Sequence, residues 1–124
     1  MRYQVLLAED DEISQEIVRA FLSDEADIEL TIVGDGKQAL EAAMTTRFDL
    51  LILDQNLPSI SGDRIVRHLR AGNSKNSDTP ILRFSANYSE IAAANAEPAT
   101  LKFLPKPVSG EVLVSTVRSI LPSD

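Results

Sequence analysis

The sequence predicts an α/β fold: a doubly wound, five-stranded parallel sheet with helices on both faces. Two observations carry that expectation. Five short apolar runs alternate with stretches of helical period, and the connections are short enough for right-handed βαβ crossovers. The runs Gln4–Ala8 and Leu50–Leu53 are nearly unbroken Val, Leu and Ile, as expected of strands buried on both faces.

The first strand, QVLLA, is followed by Ile13, Ile17, Ala20 and Phe21, whose i, i+4, i+7, i+8 spacing predicts one face of a helix. The second, Ile28–Val33, alternates Ile28, Leu30 and Ile32, which places it nearer an edge. Asp35-Gly36 is a turn whose Asp caps the next helix, with Leu40, Ala43 and Met44 as its apolar stripe. After the third strand, Ile65, Val66 and Leu69 follow Gly62 as a third helical stripe. Gly72–Thr79 (GNSKNSDT) is a polar loop, and Pro80 opens the fourth strand, Ile81–Ser85. Within that strand Arg83 is unusual, because a central charge is costly unless it reaches solvent or a partner. Ser89–Glu97 favours helix by propensity but offers only Ile91 and alanines for packing before Pro98 ends it, so a weakly docked helix is expected. The fifth strand, Leu101–Leu104, leads to a last helix capped by Ser109, with Leu113, Val117, Ile120 and Leu121 on one face.

Composition bounds what such a fold does. A length of 124 residues suits one domain spanning 1–124, and 44% hydrophobic with 25% charged residues is the balance of a soluble globular protein. With no cysteine, disulfides, thiolate metal sites and Cys nucleophiles are excluded. A formal charge of −7 repels phosphate backbones, and no Lys/Arg run is interleaved with aromatics, so direct nucleic-acid binding is not expected. The opening MRYQVLLAEDDE meets acidic residues after a short apolar run, reading as neither signal peptide nor membrane span; a cytoplasmic location is expected.

In an open α/β sheet, ligands bind beyond the carboxyl ends of the strands. There the sequence places Glu9-Asp10-Asp11, then Asp54, Ser85, and Lys106-Pro107. Taken singly, each has an ordinary role as cap, turn, strand-end hydroxyl or solvated lysine. Together they put several carboxylates, a hydroxyl and an ammonium on one rim. Crowded carboxylates repel unless a cation joins them, and an all-oxygen set without His or Cys suits Mg²⁺. A metal and a lysine that neutralise phosphoryl oxygens, a hydroxyl that donates to one, and a carboxylate that attacks in line make a site for phosphoryl transfer. The lone His68 falls on the polar side of the third helix and takes no part.

These residues resemble the receiver domains of two-component response regulators over essentially the whole chain. The most specific matches are Asp54-Gln55-Asn56-Leu57-Pro58 followed by Gly62, similar to the family's D-x-x-M-P-x-x-x-G, and Lys106-Pro107, similar to its K-P pair. The resemblance implies the flavodoxin-like (βα)5 fold with strand order 2-1-3-4-5. It implies Asp54 as phosphoacceptor and Mg²⁺ held by Glu9, Asp10, Asp54 and the backbone carbonyl of Asn56, Glu9 acting through water. Ser85 and Lys106 would contact the phosphoryl oxygens, with Asp11 outside the site. The Lys106–Pro107 peptide is expected to be cis. Ser85 and Phe103 would form the switch, repacking the face made by the Ser89–Glu97 helix, the fifth strand and the last helix. Asn56 and Asn87 would tune access of the water that hydrolyses the acyl phosphate.

The implied partners are a histidine kinase or histidine phosphotransfer domain and an output domain or downstream protein, with a homodimer through the switch face also allowed. Such a domain is no enzyme beyond self-phosphotransfer and autodephosphorylation. Three departures stand out. Leu57 replaces the usual Met, Glu97-Pro98-Ala99 replaces a Gly-Ala pair, and Phe103 lacks the hydroxyl of the commoner Tyr. Two other readings are a degenerate receiver that only binds partners, and an aspartyl-phosphate phosphatase of the haloacid dehalogenase type. The latter wants D-x-D after the first strand, whereas Gln55-Asn56 follow Asp54, and the chain lacks a cap domain.

Overall fold

The computed structural model describes residues 2–72, 74–85, 101–107 and 109–122. Five strands, β1 (Tyr3–Ala8), β2 (Ile28–Val33), β3 (Leu50–Asp54), β4 (Ile81–Ser85) and β5 (Leu101–Pro105), form one parallel sheet in the order β2-β1-β3-β4-β5. The helices described are α1 (Glu12–Leu22), α2 (Gly36–Thr45), α3 (Gly62–Ala71) and α4 (Gly110–Ile120). The expected Ser89–Glu97 helix and Asn87 lie outside the described residues. The predicted fold class and strand order are those observed. β2 is an edge strand, as its alternation implies, and β3 is buried along its whole length.

The sheet separates two cores. On one face Val5, Leu7, Leu50, Ile52, Leu82 and Phe84 meet α1 and α4 through Val18, Leu22, Leu113 and Val117. On the other, Leu6, Ala8, Leu51, Leu53 and Ile81 meet α2 and α3 through Ala39, Ala43, Ile65 and Leu69. Leu57 joins this second core, so the apolar character of that position is kept without the usual Met. Each helix starts at a side-chain cap. Asp11, Asp35, Ser61 and Ser109 accept from the backbone N–H three residues on, in α1, α2, α3 and α4 respectively. Asp35 and Ser109 are the caps the sequence predicts.

Two predicted stripes are displaced. On α1 the buried residues are Val18 and Leu22, while Ile13 is 72% exposed and Phe21 lies outward. Adjacent stripes on a helix differ by one residue, or about 100°, so 17/21 and 18/22 both satisfy the pattern. Packing against β1 and β2 selects the second. Phe21 instead covers the start of α4, where a Cβ at Gly110 would overlap its ring. On α2 the small Ala39 and Ala43 face the sheet and Met44 is left exposed, because α2 lies close to its neighbours. A Cβ at Gly36 would overlap the Ile60 carbonyl.

Residues 74–79, in the polar loop before β4, are more tightly bonded than their composition suggests. Arg70 donates to the carbonyls of Asn76, Ser77 and Thr79 at 3.1, 2.7 and 2.7 Å. Asn76, fully buried, donates to Ala43 and Thr46 carbonyls and accepts from the Phe48 N–H and Thr79 hydroxyl. This one side chain ties the end of α2 and the entry to β3 to the entry to β4.

Candidate functional site

At the carboxyl ends of β1, β3, β4 and β5 the chain gathers the predicted polar groups. Glu9 follows β1 and is fully buried, its N–H donating to the Val33 carbonyl at 3.1 Å. One oxygen, Oε2, accepts from the Asp11 N–H at 3.2 Å, while Gln15 donates to the Glu9 carbonyl. Asp10, by contrast, is exposed beside it. Asp54 closes β3 and is buried, with Oδ1 accepting from the Asn56 N–H at 3.3 Å. Lys106 leaves β5 and reaches both carboxylates, 2.7 Å from Glu9 Oε1 and 3.0 Å from Asp54 Oδ2. Its backbone N–H donates to the Ser85 carbonyl at 3.1 Å, which holds the lysine to the buried end of β4. The Lys106–Pro107 peptide is cis, as expected. Asp11 caps α1, its side chain accepting from the Ser14 N–H at 3.0 Å.

The electrostatics follow from this crowding. Burial pushes the Glu9 carboxyl above its usual range, and Asp54 beside it adds to the rise despite the pull of Lys106. For Lys106 burial acts downward, but Glu9 and Asp54 together push the ammonium above the usual lysine value. The lysine is therefore firmly charged. Carboxylate oxygens of Glu9, Asp10 and Asp54 lie within 4.8 Å of one another. Three carboxylates against one ammonium leave a formal excess of two negative charges, which a single divalent cation matches. Glu9 Oε1 is buried with the Lys106 ammonium 2.7 Å away, and a carboxylate oxygen has a second lone pair, so it keeps acceptor capacity. An all-oxygen set with a spare buried acceptor fits a hard cation such as Mg²⁺.

The loop after Asp54 is bent back on itself. Ser59 adopts φ 71°, and the Ile60 N–H donates to the Pro58 carbonyl at 2.9 Å, a γ-turn of the strained hand. The Pro58 carbonyl also receives the Gly36 N–H at 2.9 Å, so α2 braces the loop. Gly62 then packs onto the end of β3, where a Cβ would stand 2.6 Å from the Asp54 carbonyl oxygen. Only glycine allows α3 to begin this close to β3.

Sequence reasoning did not foresee the bracing of this loop by α2, or the role of Gln15, since neither leaves a local pattern. Arg83 now has partners. Its guanidinium carbon sits 4.6 Å from the centroid of Phe103, and Nη1 lies 3.8 Å from Asp63 Oδ1. His68 is exposed on α3, as expected.

The chain matches the family model "response regulator receiver domain" over residues 5–118. It is 35% identical over 124 residues to the regulatory protein VanRB of Enterococcus faecalis, covering 98% of this chain and 53% of that protein. The chain thus spans about half the length of the curated relatives it matches. Among solved structures, the chemotaxis response regulator CheY4 of Vibrio cholerae superposes with a TM-score of 0.83 at 31% identity, covering 98% of this chain and all of that one. The receiver domain of a Pseudomonas aeruginosa sensor histidine kinase, which has a magnesium ion coordinated in its active-site cleft, gives 0.83 at 27% identity, covering 99% of this chain and all of that one. By sequence and by fold, the chain belongs to the response regulator receiver domains.

Proposed function

We propose that the chain accepts a phosphoryl group on Asp54 from a phosphohistidine of a histidine kinase or histidine phosphotransfer domain, with Mg²⁺ as cofactor. The observation that carries this is Lys106 bridging Glu9 and Asp54 beside an exposed Asp10. A carboxylate oxygen of Asp54 attacks phosphorus in line, the P–N bond breaks with its electron pair passing to the imidazole, and an acyl phosphate forms on Asp54. Glu9, Asp10, Asp54 and the Asn56 carbonyl would hold Mg²⁺, which when bound supplies positive charge opposite the phosphoryl oxygens. Lys106 shifts from the Asp54 carboxylate to a phosphoryl oxygen, and Ser85 donates to another. Burial of Asp54 limits water and prolongs the acyl phosphate until hydrolysis, with Asn56 and Asn87 tuning that access.

Ser85 and Phe103 act as the switch, and the face near β5 and α4 reports it to an output domain or downstream protein. The domain signals by self-phosphotransfer and autodephosphorylation and works in the cytoplasm. None of the helices among the described residues is long and apolar enough to cross a membrane. The test is transfer of labelled phosphate from a phosphorylated kinase. Wild type takes up label only with Mg²⁺ and Asp54→Asn takes up none; full labelling of Asp54→Asn overturns the assignment.

A further inference from the structure

Arg83 is a charge placed inside the sheet, only 5% exposed, two residues before Ser85 and in register with Phe103. Its guanidinium lies over the Phe103 ring at 4.6 Å and within ion-pair distance of Asp63, 3.8 Å away. Asp63 is the second residue of α3, next to Gly62, which packs on the Asp54 carbonyl and donates its N–H to Gln55 at 3.2 Å. Its other oxygen, Oδ2, pairs with Arg67 one turn further along at 3.1 Å.

We infer that Arg83 is a positioning residue for the switch: it links the Phe103 ring to Asp63, so that movement of the ring on phosphorylation is felt along α3. The inference rests on the proposed phosphorylation of Asp54. Its physical basis is the cost of a buried cation. A guanidinium removed from water is costly, and the ring face and the carboxylate each offset part of that cost. If the ring moves toward Ser85, the guanidinium in contact with it shifts relative to Asp63. That shift changes the share of Asp63 left for Arg67. The face of α3 that carries Arg67 and His68 thereby becomes a second reporter of the site, besides the β5 face. Asp63, half exposed, hydrogen-bonded to Arg67 and within ion-pair distance of Arg83, is the point at which the buried and surface pairs meet.

The experiment uses the full chain with fluorine-labelled phenylalanine and labelled Arg67, treated with acetyl phosphate and Mg²⁺. Intact mass reports how much is phosphorylated. In wild type, phosphorylation moves the Phe103 fluorine signal and the Arg67 Nε–H signal together. Arg83→Met keeps an unbranched apolar stem and removes the guanidinium with its charge. At equal phosphorylation the Phe103 response persists and the Arg67 response falls by at least half. Asp63→Asn, a change at a half-exposed residue that does not threaten folding, gives the same loss. An Arg67 response unchanged in both variants overturns the inference, whatever the Phe103 signal does. No mass gain in wild type overturns the phosphoacceptor reading and this inference with it, a result separable from the first by mass alone.

Discussion

Replacing Asn76 should destabilise the domain strongly for a loop residue. The amide has two N–H donors and one oxygen with two acceptor positions, and all are used: Nδ2 to the carbonyls of Ala43 and Thr46 (2.5 and 2.8 Å), Oδ1 from the Phe48 N–H and Thr79 hydroxyl (2.8 and 2.9 Å). Asn76→Ala leaves the buried Phe48 N–H without this partner and strips a bond from each carbonyl; the single Thr79 O–H turns to the Phe48 carbonyl, 3.2 Å away. At about 1–3 kcal/mol per buried group left unsatisfied, the loss comes to roughly 3–4 kcal/mol, allowing for partial rescue of the carbonyls by water. Asn76→Asp is the sharper variant, because it creates no cavity. It keeps the acceptor and turns a carboxylate toward two carbonyl oxygens, so it should cost a similar amount near neutral pH and recover as acid protonates it. Urea unfolding followed by circular dichroism measures both, with an unchanged slope showing that stability alone has moved. A loss below about 1 kcal/mol for Asn76→Asp at neutral pH would refute the reasoning, since a fully used buried amide cannot exchange its donor for a charge so cheaply.

Gly62→Ala and Gly110→Ala make a contrasting pair in the same assay. The first drives a Cβ into the Asp54 carbonyl and should lose about 1–3 kcal/mol, whereas the second meets the half-exposed Phe21 ring, which swings outward at little cost; equal losses would contradict this. Lys106→Met leaves Glu9 and Asp54 without their cation, so Mg²⁺ should raise its melting temperature more than that of wild type, and an equal or smaller rise argues against the charge balance described. Asp27, bonded twice by Arg118, is held below its usual carboxylate value chiefly by those hydrogen bonds. A depressed folded value means the stabilisation is present above the unfolded value near 3.8 and is lost as pH falls through the folded one. The melting-temperature gap between wild type and Asp27→Asn should therefore be flat above that value and close in acid.

The strand-end groups were legible because β strands leave local signals. LLIL followed by Asp54, and the other apolar runs followed by Glu9, Ser85 and Lys106, place each group at a carboxyl end. A parallel sheet then brings those ends to one rim. Other features depend on segments far apart in the chain. The choice of Val18 and Leu22 over Ile17 and Phe21 is made by β1, β2 and α4, not by periodicity. Asn76 sits in a stretch that reads as solvated, and its burial needs α2, β3 and β4 to meet there. Arg83 was visible as an anomaly, but its partners come from α3 and β5, at separations no short pattern encodes.

The most direct test of the account is to locate the phosphoryl group. After treatment with acetyl phosphate and Mg²⁺, the acyl phosphate is trapped by borohydride reduction. The protein is then cut at Arg47 and Arg64, which releases a peptide containing Asp49, Asp54 and Asp63. Modification is expected at Asp54 alone, absent without Mg²⁺ and absent in Asp54→Asn. Modification at Asp49 or Asp63, or none in wild type with Mg²⁺ present, would contradict it.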